Sequence, residues 1–185
     1  MSTIYTFHEE CSAATDVAND DEFLMFDTSA GRTKNVTAAV MRAYQGSSVS
    51  ITTATAAITA ASHAGKIIVI EATPCTLTLP ASAGTGNTYT FVVKTAATAT
   101  ESTIKVANTT DIMKGVVWAA TTSSDNAEAF ITTATSDSIE MNGTTKGGVV
   151  GDLYILRDVY TGVWSVQGFT APTGTEATPF DATVS

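Results

Sequence analysis

The sequence predicts a mainly β protein: an antiparallel, jelly-roll-like β-sandwich body preceded by a small β-hairpin and one short helix. Three observations carry that expectation. Residues 66–93, KIIVIEATPCTLTLPASAGTGNTYTFVV, hold three strand-like runs separated by turn residues. Comparable runs recur roughly every ten residues as far as Gln167, the spacing expected of a sandwich or barrel. Threonine makes up about one residue in five, and its β-branched side chain suits a pleated sheet better than a helix.

Residues 1–46 read as a separate N-terminal unit. Glu22–Asp27, EFLMFD, is a strand, Thr28–Gly31 has turn chemistry, and Thr33–Val36 returns as the second arm of a hairpin. Thr37 is placed to cap a helix over Ala38–Tyr44, which Gly46 would stop. So short a helix must pack on something to persist. Residues 47–64 are a Ser/Thr/Ala stretch without charge or proline. They read as a connector, holding either an edge strand at Val49–Thr53 or a segment that pairs with neighbouring chains.

Residues 65–169 form the expected body. The run Ile67–Ile70 is continuously β-branched, as in a strand buried on both faces. Cys75–Leu79 alternates, with Leu77 and Leu79 on one side, until Pro80 removes a ladder donor. Ala81–Asn87 is a turn, after which Tyr89, Phe91 and Val93 share one face. Six further strands are expected at Thr103–Val106, Val116–Trp118, Ala127–Thr132, Ser138–Met141, Asp152–Leu156 and Val163–Gln167. Trp118 is expected in or near the core. Asn142-Gly143 and Thr161-Gly162 mark turns. Residues 170–185, with two prolines and few large apolar groups, read as an extended C-terminal arm.

Composition narrows the function classes. Charged residues are only 15% of the chain, against roughly 25% in ordinary soluble proteins. Few charges remain to keep sheet edges apart, so the chain is expected to live inside an assembly, most simply a homotrimer. The net charge of −9 is concentrated before Arg32, where seven carboxylates meet no basic residue. From Arg32 onward the chain is close to neutral. Glu9, Glu10, Asp16, Asp20, Asp21 and Glu22 are therefore candidates for docking onto a basic protein surface. Phosphate backbones call for clustered Lys and Arg, so nucleic acid is not an expected partner. The longest aliphatic run is far short of a membrane span, and the start lacks a signal-peptide pattern.

No reaction chemistry is visible. His8, Glu9, Glu10 and Cys11 do not make a four-donor zinc set, and His63 lies far away in the connector. DVANDDE at Asp16–Glu22 lacks the glycine and closing Glu of a calcium loop. Gly84-Thr85-Gly86 does not open a helix, and Lys146-Gly147-Gly148 reverses the order of a phosphate-binding loop. Cys75 reads as a small buried residue rather than half of a Cys11–Cys75 bridge. Sequons begin at Asn35, Asn108 and Asn142, as chance allows in a Thr-rich chain. Catalytic residues, metal ligands and cofactors are thus not expected.

The hairpin-plus-helix segment DEFLMFDTSAGRTKNVTAAVMRAYQG resembles a short module near the start of tailed-phage fibre and head-attachment proteins. The body segments GKIIVIEATPCTLTLPASAGTGNTYTFVV, TSDSIEMNGTTKGGVVGDLYILRDV and TGVWSVQGF, with the closing TGTEATPF, are similar to small β-rich proteins of tailed phages, cyanophages among them. The resemblance implies a virion structural protein on the capsid exterior that decorates and cements the shell, with the major capsid protein and its own copies as partners. A fibre-type or adhesin module recognising host glycan is the other reading; Tyr154, Tyr160 and Trp164 are its aromatic candidates, although Tyr154 and Trp164 lie in strand runs that favour the core.

Overall fold

The computed structural model describes residues 22–27, 31–38, 47–120 and 126–184. The chain divides into two compact units, Met1–Gln45 and Gly46–Ser185. In the first, β1 (Glu22–Asp27) pairs antiparallel with β2 (Arg32–Thr37), Glu22 opposite Thr37 and Asp27 opposite Arg32. Gly31, at φ 60°, supplies the left-handed residue of the turn. Ala38 follows β2 in helical conformation and is buried. The remainder of the helix expected over Ala38–Tyr44 lies outside the described residues.

The second unit is a two-sheet body. Its strands are β3 (Ser48–Ile51), β4 (Thr55–Ala57), β5 (Ile67–Ile70), β6 (Thr76–Thr78), β7 (Thr88–Val93), β8 (Ser102–Lys105), β9 (Ile112–Ala120), β10 (Ala127–Ile131), β11 (Ser138–Met141), β12 (Leu153–Tyr160), β13 (Val163–Thr170) and β14 (Phe180–Asp181). One helical turn, α1 (Ala60–His63), precedes β5. The large sheet has the order β10-β9-β13-β12-β7-β5-β3, and the small sheet the order β14-β11-β8-β6-β4. All nine strands expected after residue 65 are present.

Pairing direction differs from the antiparallel expectation. From β3 to β8 the chain passes alternately from the large sheet to the small one. Each return lays a strand parallel to its predecessor: β3 with β5 and β5 with β7 in one sheet, β4 with β6 and β6 with β8 in the other. A parallel pair needs a crossover, and here a strand in the facing sheet serves as that crossover. The result is a short two-sheet coil rather than a jelly roll. The later strands close it with mainly antiparallel pairs, β12 with both β7 and β13, and β11 with β8.

Two expected boundaries are corrected. Residues 47–64 are more than a connector: the edge strand expected at Val49–Thr53 is present as β3, at the border of the large sheet, and with β4 it makes the first turn of the coil. Ile51 and Ile58 enter the core, a burial that outweighs the flexibility of so many small residues. The tail after Thr170 is not a loose arm either. Phe180 is 8% exposed, and β14 pairs with β11. The buried Asp137 carboxylate accepts the backbone N–H groups of Thr183 and Val184, pinning the last turn of chain.

One core lies between the sheets. Ile68, Ile70, Phe91, Val93, Leu156 and Val166 from the large sheet meet Leu77, Ile104, Ile139 and Met141 from the small one. Trp164 is fully buried and stands edge-on to Tyr89, with ring centroids 5.6 Å apart. Trp118 is not in the core. Strand alternation along β9 turns Val117 and Ala119 inward, so Trp118 points out and is 44% exposed. Truncating Trp164 to Ala is expected to cost about 4 kcal/mol in a denaturant titration, while the same change at Trp118 should cost under about 1 kcal/mol.

Candidate docking surface

The body turns several of its acids inward. Asp111, Asp137, Glu140, Asp152 and Asp158 are all buried, and each is matched by donors. Asp158, on β12, reaches the loop between β6 and β7. It accepts the N–H groups of Ala83, Gly84 and Thr85 and the hydroxyls of Ser82 and Thr85, at 2.7–3.0 Å. The Gly84-Thr85-Gly86 loop is thus a backbone nest, and the anion it holds is the protein's own. Burial alone would raise the Asp158 pKa, but these donors outweigh it and hold the carboxyl at about 2.

Asp152 plays the same part for the Gly147-Gly148 loop, accepting from Gly148, Val149 and Ala171 N–H groups. Here burial dominates over those donors, and its pKa is raised. Asn108 and Asn142 spend their amides on turns. Asn142 Oδ1 accepts the N–H groups of Thr144, Thr145 and Lys146, and Asn108 Oδ1 those of Thr110 and Asp111. His63 Nδ1 accepts the Thr59 N–H at the start of α1, a local cap. Cys75 is a buried free thiol whose pKa burial raises. Among the described residues, no group of three or more His, Cys, Asp or Glu side chains is arranged to hold a metal ion, and no helix is long and apolar enough to cross a membrane.

A groove of about 320 Å³ crosses the outside of the small sheet, lined by Thr55, Ala56, Ala57, Thr76, Thr78 and Lys105. It offers hydroxyls and one amine, with no acid or imidazole to move a proton.

The outer face of the large sheet is different. Successive registers place Ala129, Trp118, Phe169, Leu153, Val92, Val69 and Ser50 side by side across all seven strands. The next row, two residues along each strand, is Ile131, Val116, Gln167, Ile155, Thr90, Ile67 and Ser48. All point away from the core by strand alternation. Phe169 is 58% exposed, Ile131 72% and Ile67 43%. Isolated exposed apolar residues are ordinary, but a contiguous ladder of them marks an interaction surface.

Charge within the paired rows of this face is positive. The following row carries Lys114 on β9 and Arg157 on β12, with Ser165 between them. The Lys114 amine donates to the Thr133 carbonyl at 2.7 Å, and Arg157 Nε donates to the Thr88 hydroxyl at 3.1 Å. A depression of about 40 Å³ opens beside Arg157, lined by Ile155, Ser165 and Gln167. At the far margin Glu71 is already engaged, 3.0 Å from Lys94 and accepting from Ser50.

Of the predicted docking carboxylates, Glu9, Glu10, Asp16, Asp20 and Asp21 lie outside the described residues. Glu22 is the first residue of β1, exposed, and accepts from Asn35 Nδ2 at 2.6 Å. The ladder was missed in the sequence because its members are scattered over seven strands. The signal present was weaker: β-branched or aromatic residues at both alternating positions of β5, β7, β9 and β13. No protein-family model matches the chain, and a search of curated proteins finds no match.

Proposed function

We propose that the protein is a structural component of a tailed-phage virion, a cement protein that decorates the outside of the icosahedral capsid. One observation carries the reading most: a mainly β body presents an apolar sheet face across seven strands whose paired rows hold no carboxylate. Such a face is suited to lasting contact with other protein rather than to turnover of a substrate. The acidic leader adds a second attachment. Glu9, Glu10, Asp16, Asp20, Asp21 and Glu22 meet a basic patch on the major capsid protein, and copies of the chain meet one another.

The glycan-binding alternative draws on the neighbouring exposed rings of Trp118 and Phe169. A sugar site pairs such rings with carboxylates and amides, and this face offers Gln167 as its one amide and no carboxylate among its paired rows. Tyr154 and Trp164 are fully buried and do not contribute to it; Tyr160 is 60% exposed.

Bare capsids mixed with the purified protein are expected to carry it down on sedimentation. Binding should weaken as added salt shortens the Debye length from about 10 to 3 Å, because the leader's share is electrostatic. Decorated shells should also withstand heat better, since a ligand of the assembled state stabilises that state. Failure to co-sediment at every salt concentration, together with a saturable hit in a glycan screen, would transfer the case to host recognition.

A further inference from the structure

We infer that the outer face of the large sheet seats a second copy of this chain, and that the occupant is the acidic, apolar side of that copy's N-terminal hairpin. The face sets two requirements. Its occupant must cover Trp118, Phe169, Ile131 and Ile67 with apolar surface, and it must bring negative charge to Lys114 and Arg157. The body of another copy is less suited to the second: Asp111, Asp137, Glu140, Asp152 and Asp158 are buried, and its exposed Glu128 and Asp181 stand singly on the edge strands β10 and β14.

The stretch before Arg32 supplies both. It holds seven carboxylates and no cation, and within it β1 exposes Leu24 at 73%. The hairpin register puts Glu22 and Leu24 on one side with Thr37 and Asn35. Arg32 and Lys34 alternate to the other side. One side of the hairpin is therefore anionic and apolar without a positive charge, which complements a face that is cationic and apolar without a free carboxylate. Arg157 suits such a partner because its guanidinium is a fork of five donors, one of which the Thr88 hydroxyl takes.

A contact between hairpin and face joins two different surfaces, so it is heterologous, and rotation closes it into a ring. A three-membered ring is the homotrimer expected from the composition. In that ring Glu22 serves the neighbouring copy instead of the shell, leaving Glu9, Glu10, Asp16, Asp20 and Asp21 for capsid docking. The inference does not rest on the virion reading: capsid binding can fail while this association stands, and the reverse.

The full-length chain is expected to show a trimer mass by light scattering at micromolar concentration. Phe169→Glu, Leu24→Lys and the double change Lys114→Glu/Arg157→Glu should each shift the mass to that of a monomer without lowering the melting midpoint of the monomeric fold. Carbodiimide joins amines to touching carboxylates. In a mixture of ¹⁴N- and ¹⁵N-labelled chains, it should link Lys114 to peptides from residues 1–27 across isotope labels. Two results would overturn the inference: a monomer mass for the unaltered chain, or an oligomer that persists in Phe169→Glu and Leu24→Lys alike. Lys114 links confined to single-isotope pairs would also overturn it, because the leader would then lie on its own body. If Phe169→Glu fails to fold, Leu24→Lys and the cross-links decide.

Discussion

Alanine at position 158 is expected to destabilise the body by about 3 kcal/mol, near the upper end for a single buried acceptor. The Asp158 carboxylate receives three backbone N–H groups and two hydroxyls, and its residue is only 3% exposed. The Ser82 hydroxyl retains other acceptors, the carbonyls of Tyr160 and Val163. The N–H groups of Ala83, Gly84 and Thr85 have no such reserve among the bonds that hold this loop, and a buried orphaned donor costs about 1–3 kcal/mol. The loop also lies close under β12, where a Cβ on Gly84 would meet the Tyr160 Cα at 3.1 Å. Urea titration at neutral pH measures the loss, and hydrogen exchange should show amides 83–85 released first. A change below about 0.5 kcal/mol, the usual size for an inconsequential surface site, would refute the account.

The same carboxylate gives the fold an acid limit. Its folded pKa, about 2, lies below its ordinary value of 3.8. A depressed carboxylate contributes fully above the ordinary value and loses its contribution as pH falls toward the folded one. The contribution is about 2 kcal/mol, so the stability gap between the natural chain and Asp158→Ala should narrow by that amount between pH 4 and pH 2. Asp152 acts in the opposite sense. Its raised pKa lets the folded state take up a proton earlier than the unfolded chain does. Acidification through that range therefore favours the fold slightly before the loss at Asp158 takes over.

Strand positions were legible in the sequence because alternation and turn chemistry are local. Leu77 and Leu79, or Tyr89, Phe91 and Val93, announce an inward face without reference to anything distant. Pairing direction was not local. The continuous run Ile67–Ile70 did carry the parallel signal, although only Ile68 and Ile70 are buried and Ile67 opens onto the outer face. Its crossover was hidden in the threonines and alanines of residues 47–64. β4, Thr55-Ala56-Ala57, has no large side chain to mark it, and only its parallel register with β6 makes it a strand. β14 is two residues long and is held by a core contact of Phe180 and by Asp137, both set by tertiary structure. The apolar outer face was illegible for a related reason. Trp118 and Phe169 are 51 positions apart by number and become neighbours only when β9 and β13 pair in parallel. The nest of the Gly84-Thr85-Gly86 loop was not foreseen, because its anion comes from Asp158 on β12, 73 positions beyond Thr85 and beside β7 only in the folded sheet.

Gly115→Ala is the substitution with the largest expected effect. Gly115 lies inside β9, directly beside Val166 of β13. A Cβ there would stand 1.8 Å from the Val166 carbonyl oxygen and 2.7 Å from its carbon. Both atoms are backbone, so no side chain can swing aside; either β9 or β13 must move. The φ of +155° adds strain for any L side chain. Gly115 is held from the other side as well, its N–H donating to the Thr132 hydroxyl and its carbonyl accepting the Thr132 N–H. Displacing β9 would open the packing of Met113 and Val117, both fully buried. The expected loss exceeds about 4 kcal/mol, the range reserved for broken cores. Gly65→Ala is the control, since φ is +71° there but nothing lies within 4 Å; it should cost only about 1–2 kcal/mol for the left-handed backbone. Thermal melts followed by circular dichroism compare the two. Because β9 carries both Trp118 and Lys114, Gly115→Ala should also abolish self-association under conditions where the remaining sheet stays folded. A Gly115→Ala chain that melts within about 1 kcal/mol of the natural one would mean that β13 yields at Val166 without loss, and that the β9–β13 register does not hold the face together.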